Sequence, residues 1–308
     1  MSKKILVTGG LGYIGSHTVV ALQEKGFEVI IIDNLSNSSL EVLGGITRIT
    51  KVSPQFEKLD LREKGAVSNF FDKYPDIDGV IHFAASKAVG ESVENPLLYY
   101  ENNLNTLIYL LQQLQEKQAP KFIFSSSCTV YGQADELPIT EAAPVKKAES
   151  PYGNTKQIGE EIIADTCKVA AHLKAISLRY FNPIGAHPSA HIGELPIGTP
   201  QNLVPFITQT AAGIREKLSV FGKDYPTPDG TCVRDYIHVM DLAEAHVVAL
   251  KRLLENKSET NYDVFNLGTG QGNSVLEVIQ SFEKVSGENL PYQIASRRAG
   301  DIISAYAD

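Results

Sequence analysis

One stretch near the start restricts the fold more than any other: Lys4-Ile5-Leu6-Val7-Thr8-Gly9-Gly10-Leu11-Gly12-Tyr13-Ile14-Gly15. Ile5, Leu6 and Val7 read as a short strand buried on both faces. Gly10-x-Gly12-x-x-Gly15 follows at once, and residues 16–25 have helical spacing. Glycines at such a turn let the chain reverse sharply, let its backbone approach a pyrophosphate, and let the helix pack close to the strand. The helix N-terminus then offers unpaired N–H groups and a positive dipole end to phosphates. A second apolar run, Val29-Ile30-Ile31-Ile32, closes on Asp33 about 20 residues on, the spacing expected of a ribose-binding carboxylate. A carboxylate there accepts hydrogen bonds from an adenosine ribose and repels a 2′-phosphate, so the expected cofactor is NAD rather than NADP.

The 308 residues suffice for one large domain or two moderate ones. A hydrophobic content of 43% with 21% charged residues is that of a soluble globular chain. The net charge of −8 argues against a nucleic-acid or anionic-membrane partner. No apolar run is long enough to span a bilayer. Cys128, Cys167 and Cys232 are odd in number and fit neither a metal site nor a disulfide framework, which points to reduced thiols and a cytoplasmic location. The chain enters a strand almost immediately, leaving no room for a signal peptide.

Further strands are expected over 56–59, 79–85, 121–124 and 175–179, with helices over 40–49, 63–74, 96–117 and 151–172. Strands alternating with helices make a doubly wound parallel sheet with right-handed crossovers. Ligands in such sheets sit beyond the carboxyl ends of the strands. Asp33, Asp60, the segment 83–87 and Ser125-Ser126-Ser127 all fall on that rim. After Arg179 the composition changes. Residues 182–230 are rich in Pro, Gly and His and poor in periodic segments, and loops of that length are usually functional. A smaller C-terminal substrate domain is expected to begin there. The helical spacing over 240–254 and the strand pattern over 263–267 suggest that 236–270 returns to the first domain; a helix over 274–286 follows.

Tyr152-Gly-Asn-Thr-Lys156 opens a helix, with Pro151 suited to its first turn. Positions i and i+4 share a helical face, so the Lys156 ammonium can lie near the Tyr152 phenol. A free phenol has a pKa of ~10. Lowering it by about 3 units, towards the working pH of a general base, takes roughly 4 kcal/mol. A partly desolvated cation, helped by a positive nicotinamide ring and a helix N-terminus, is of that order. With 13 Tyr in the chain, a chance Tyr-x-x-x-Lys is expected, but this one follows the strand whose end carries Ser127. A hydroxyl there can share a substrate proton with the phenol. Strand alternation alone does not decide between Ser127 and Ser126, and Ser127 is preferred.

With these residues in place, the chain resembles the extended short-chain dehydrogenase/reductase family, in its NAD-dependent epimerase/dehydratase branch. The matching stretches are Val7-Thr8-Gly9-Gly10 through Gly15-Ser16-His17, Ile32-Asp33-Asn34-Leu35, Val80-Ile81-His82-Phe83-Ala84-Ala85, and Lys87-Ala88-Val89-Gly90-Glu91-Ser92. They continue with 124–132, Ser150-Pro151-Tyr152-Gly153, Arg179-Tyr180-Phe181-Asn182-Pro183, Asp229-Gly230-Thr231 and Val233-Arg234-Asp235-Tyr236-Ile237-His238-Val239. The likeness covers essentially the whole chain, and the last stretches are particular to nucleotide-sugar epimerases.

The resemblance implies an α/β fold: a doubly wound parallel Rossmann sheet over 1–181 binding NAD, and a mainly UDP-sugar-binding domain over 182–308. The implied activity is reversible inversion at C4 of UDP-glucose and UDP-galactose. Tyr152 takes the proton of the 4-hydroxyl while C4 gives its hydride to tightly bound NAD. The 4-keto sugar then turns about its diphosphate link and takes the hydride back on the other face. Ser127 hydrogen-bonds the 4-oxygen; Lys156 lowers the phenol pKa and holds the nicotinamide ribose. Implied NAD contacts are Gly9, Gly12, Tyr13, Ile14, Gly15, Asp33, Asn34, Leu35, Ser36, Asn37, Ser38, Asp60, Leu61, Phe83, Ala84, Ala85, Lys87, Asn102 and Phe181. Implied substrate contacts are Lys87, Asn182, Asn202, Leu203, Ser219, Phe221, Arg234, Arg298 and Asp301. Fork-shaped Arg donors suit a diphosphate. The resemblance also implies a homodimer built on the 96–117 and 151–172 helices, where Tyr99, Tyr100, Leu107 and Leu110 form an apolar face that fits core packing or a dimer seam. Chains of this family normally run beyond the position of Asp308, which suggests a truncated sequence.

Ordinary structural readings also apply. His82, inside an apolar strand, is expected to be a satisfied core histidine, and Arg234 with Asp235 could be a surface ion pair. His187, His191 and His238 lack metal-type spacing, and no metal is assigned. Ala305 stands where a bulky Tyr often flanks the sugar, so an N-acetylated UDP-sugar is expected to fit as well. Two other functions stay open. A nucleotide-sugar dehydratase or decarboxylase is one, although Ser127 is followed by Cys128-Thr129 rather than the acidic pair that a dehydratase needs. A non-catalytic NAD-binding regulator is the other, and it would not need Tyr152, Lys156 and Ser127 together.

Overall fold

The structure, a computed structural model, describes residues 2–117, 121–298 and 300–308. Seven parallel strands form the main sheet: β1 (Lys4–Thr8), β2 (Glu28–Asp33), β3 (Gln55–Lys58), β4 (Gly79–His82), β5 (Lys121–Ser125), β6 (Ala175–Tyr180) and, far later in the chain, Tyr262–Leu267. Helices α1 (Tyr13–Glu24), α2 (Glu41–Thr50), α3 (Lys64–Lys73), α4 (Val89–Glu94), α5 (Pro96–Lys117) and α6 (Pro151–Val169) lie between the strands up to β6. The remaining elements are β7 (Asn182–Ile184), α7 (Leu203–Ala211), β8 (Leu218–Phe221), β9 (Val233–His238), α8 (Val239–Leu254), β10 (the Tyr262–Leu267 strand), β11 (Gly272–Ser274), α9 (Val275–Ser286), β12 (Tyr292–Ala295) and β13 (Ser304–Ala305).

Spatial order across the sheet is β3-β2-β1-β4-β5-β6-β10. The order reverses between β1 and β4, and such a reversal opens a crevice at the carboxyl edge. Alternate strand residues feed opposite cores. Ile5, Val7, Val29, Ile31 and Ile81 meet α1, α2 and α8 through Val19, Val20, Ile46, Leu242 and Leu250. Leu6, Ile30, Ile32, Val80 and Phe122 meet α3, α5 and α6 through Phe71, Leu107, Leu111 and Ile163. The central strands β1, β2, β4 and β5 are thus buried on both faces, as their unbroken apolar runs require, while edge strand β3 is partly exposed. The expected α/β class and parallel doubly wound sheet are what the chain forms.

Residues 182–230 hold more regular structure than their composition suggests. β7 pairs with β9, and β8 pairs with β12 over seventy positions later in the chain. Strands of three or four residues show no usable period, and their partners are remote in sequence. The apolar face of α5 is also clarified. Tyr99, Leu107 and Leu110 are fully buried within the subunit, so that face is core and not a seam. The outward apolar residues at the start of α5 are Leu97 and Leu98.

Candidate active site

The glycine turn is built as its residues require. Gly9 has φ +67°, and a Cβ there would meet the backbone N of Ala84 at 2.8 Å. A Cβ on Gly15 would meet the Gly9 carbonyl oxygen at 2.2 Å. Gly12 caps α1 with no side-chain hydrogen bond, so the first-turn N–H groups are left for a ligand. A cradle this close and an uncapped positive helix end fit the pyrophosphate of NAD.

Asp33 closes β2 and does more than its position suggested. Its carboxylate accepts from Leu11 N (3.1 Å), Leu35 N (2.9 Å) and Ser38 Oγ (2.7 Å). It joins the glycine turn to the loop after β2. Leu35 there has φ +63°, a left-handed conformation that costs about 1 kcal/mol for such a side chain. Asn34 donates to Asp60 at 3.3 Å. Asp60 is gripped by Arg62, which holds its carboxyl down at about 2. The Tyr13 hydroxyl donates to the Gly185 carbonyl at 2.7 Å and so ties the turn to the segment after β7. Asn102 donates to Ser86 Oγ beside 83–87.

α6 begins with Ser150 as cap, accepting from Gly153 N, and Pro151 in the first turn. Lys156 and Tyr152 lie on one side of that helix, with the ammonium 5.8 Å from the phenol ring centroid. The ammonium donates to the Ser125 carbonyl at 2.7 Å and sits 4.9 Å from the Phe124 ring centroid. Ser126 donates to Glu160 at 2.5 Å, which removes it from the site. Ser127 faces the phenol, favouring its anion, while its oxygen also accepts from Thr129 N.

In the chain alone, burial dominates both charge states. Burial pushes the Tyr152 phenol well above its ordinary value, and the Tyr180 hydroxyl and Cys128 thiol act in the same direction. Burial lowers Lys156 to about 8, with Glu160 opposing. The expected lowering of the phenol therefore draws on the positive nicotinamide ring as well as on Lys156. The ammonium is committed to a carbonyl, and desolvation outweighs it.

The sugar-side residues gather in two groups. The Arg298 guanidinium stacks 4.8 Å from the Phe221 ring centroid and reaches Asp301 at 3.0 Å. Asn202 donates to Glu194 at 2.6 Å, and Lys87 lies 3.5 Å from the same carboxylate. Leu203 opens α7, Asn182 opens β7, and Ser219 lies on β8 beside Gln293. Phe181 is buried with Val130, Tyr131 and Ala305. Arg234 on β9 is in register with Ala305 and lies near the Cys128 thiol, which burial raises to about 11. Asp235 is not its surface partner. It is fully buried and accepts from Thr269, Gly270 N and Ala307 N. His82 shares a 2.7 Å hydrogen bond with Thr8 and is held neutral by burial, its pKa lowered to about 3, as a core histidine should be. Glu194 and Glu160 did not stand out in the sequence, and Arg179 did so only as the start of a matching stretch. For Glu160 the available signal was its four-residue spacing from Lys156.

A family model described as the NAD dependent epimerase/dehydratase family matches residues 5–268. The UDP-glucose 4-epimerase of Bacillus subtilis (strain 168) is 52% identical over 304 residues, covering 99% of this chain and 88% of that one. The crystal structure of a UDP-glucose 4-epimerase from Stenotrophomonas maltophila with bound NAD and formylated UDP-arabinopyranose superposes with a TM-score of 0.94 at 48% identity. It covers 99% of this chain and 90% of that one. The Bifidobacterium longum UDP-glucose 4-epimerase in complex with NAD+ and UDP gives 0.95 at 45% identity, with coverages of 99% and 90%.

Proposed function

The chain belongs to the NAD dependent epimerase/dehydratase family, and on that premise we propose that it interconverts UDP-glucose and UDP-galactose by inversion at C4, with NAD as cofactor. The observation that carries this reading is the convergence of Tyr152, Lys156 and Ser127 at the ends of β5 and α6, on the edge that also carries the glycine turn. NAD, when bound, would supply the hydride acceptor and a positive charge that favours the phenolate. Tyr152 removes and returns the 4-hydroxyl proton. Ser127 holds the 4-oxygen, and the Lys156 ammonium stabilises the phenolate. Arg234 and Arg298 suit the diphosphate, with Asn182, Asn202, Phe221 and Asp301 around the rest of the nucleotide sugar.

We assign NAD binding to 1–181 and UDP-sugar binding mainly to 182–308, with 236–270 completing the first unit. Strand β10 on the main sheet and α8 against α1 support this division. Purified without added cofactor, the protein should turn UDP-galactose into UDP-glucose with no net NADH released. Absence of UDP-glucose, or NADH formed in proportion to substrate, refutes the assignment. Ala305 is small and buried beside Arg234, which supports acceptance of UDP-N-acetylglucosamine as well. The same assay run on that sugar should show turnover, and none would remove the extension.

We also assign a homodimer through the outer faces of α5 and α6, on the exposed Leu97 and Leu98. Sedimentation of the native protein should give twice the monomer mass, and Leu97→Glu should shift it towards monomer. A monomeric native protein would discard this interface. Among the described residues, no helix is long and apolar enough to cross a membrane. The three free thiols favour a cytoplasmic location.

A further inference from the structure

Three successive residues at the end of β5 are each engaged by a different side chain on one face of α6. Lys156 donates to the Ser125 carbonyl at 2.7 Å, Ser126 donates to Glu160 at 2.5 Å, and Ser127 faces Tyr152. Positions 152, 156 and 160 are four apart and so share a helical face. Lys156 and Glu160 are both buried. Arg179 of β6 grips Glu160 through Nε–Oε1 at 2.9 Å and Nη2–Oε2 at 2.5 Å. Its Nη1 donates to the Tyr131 hydroxyl at 2.9 Å, and Tyr131 donates to Asn266 at 2.7 Å. A buried ion pair of this kind is often no more stabilising than apolar packing, so its place beside the catalytic lysine calls for another account.

We propose that Glu160 is a positioning residue that keeps the Lys156 ammonium charged beside Tyr152 and, through Ser126, holds the end of β5 so that Ser127 points at the phenol. The proposal rests on the roles given above to Tyr152, Lys156 and Ser127. Among the described residues, the ammonium's one hydrogen bond goes to a neutral carbonyl, and a buried ammonium tends to lose its proton. Burial does push Lys156 down, and Glu160 is the group that opposes it. The other titratable groups around this pair are His82 on β4, Arg179 and Tyr180 on β6, Tyr262 on β10, Tyr99 on α5, and Cys128 and Tyr131 just after β5, with burial holding both Tyr262 and Tyr131 neutral. Burial keeps His82, Tyr180, Tyr99 and Cys128 in their neutral forms, and Arg179 is a cation. Among these groups Glu160 is the anion.

The test reads Lys156 directly. The protein, carrying its bound NAD, is made with 13Cε-lysine, and the Lys156 resonance is identified by its loss in Lys156→Met. Its NMR titration midpoint should fall by about one pH unit or more in Glu160→Gln, because the charge that opposes desolvation is removed and Arg179 is left unopposed, and should fall less in Glu160→Asp. The pH profile of kcat should move with it while KM for UDP-galactose holds. Should Glu160→Gln leave Arg179 uncompensated and fail to fold, the double variant Glu160→Gln/Arg179→Met removes the cation with the anion, so its midpoint should still fall but by less than in the single variant, because Glu160 is the member of the pair that bears on the ammonium. A Lys156 midpoint unchanged from wild type in the variant that folds overturns the proposal. Wild-type turnover of UDP-galactose tests the reaction separately, since the lysine titration is read whether or not turnover occurs.

Discussion

Replacing Tyr152 by Phe should cut turnover of UDP-galactose by about 10²–10⁴-fold, the range for loss of a positioned acid–base group, while NAD stays bound. The exchange removes one oxygen and keeps the ring. Ser127 keeps its hydrogen bond from Thr129 N, so the change leaves no new buried polar group unpaired. The glycine turn and Asp33 do not touch residue 152, and their hold on the dinucleotide should persist. The measurement is turnover beside the NAD released on denaturation. Activity within tenfold of wild type would mean that some other group moves the proton. The same variant separates the enzyme from a mere NAD-binding regulator, in which loss of this hydroxyl would change nothing measurable.

Gly15→Ala should abolish cofactor retention. Its new Cβ would fall 2.2 Å from the Gly9 carbonyl oxygen and 2.9 Å from Gly10 Cα. Both are backbone atoms of the turn itself, so no flexible side chain can move aside. Overpacking of this kind costs about 1–3 kcal/mol or more, and relief must come from opening the turn that receives the pyrophosphate. Gly65→Ala in α3 is the matched control. Nothing lies within 4 Å of its Cβ, and Ala is the better helix former by about 1 kcal/mol. The first variant should purify without NAD and melt below wild type; the second should keep NAD and melt at or above it. Full NAD content in Gly15→Ala would show that the turn yields without loss.

How far the sequence could be read follows from the distance over which each feature is determined. The β1-turn-α1 unit, the reach of α5 from Pro96 to Lys117, and the cap and proline that open α6 are local, and the residues themselves announce them. The choice between Ser126 and Ser127 depends on Glu160, thirty-odd positions away, and emerges only once β5 packs on α6. Asp235 reads as a surface charge because its partners, the Thr269 hydroxyl and backbone N–H groups of 269, 270 and 307, lie more than thirty positions away and are mostly backbone. The short pairs β7–β9 and β8–β12 are set by remote partners and leave no local period. The surroundings of Tyr152 are set at a similar distance. Helical spacing brings Lys156 to the correct side, but only the fold shows that a carbonyl claims its ammonium.

Asp33 carries a consequence for attempts to redirect this scaffold. The side chain that would discriminate between the two common dinucleotides is also a strut between two loops, one of which holds a leucine in a conformation it does not favour. Exchanging it for a neutral or basic residue would release both loops at the moment the new specificity was introduced. Any conversion to the phosphorylated coenzyme must therefore rebuild the walls of the crevice together with its selectivity, and single replacements should yield proteins that bind neither form well.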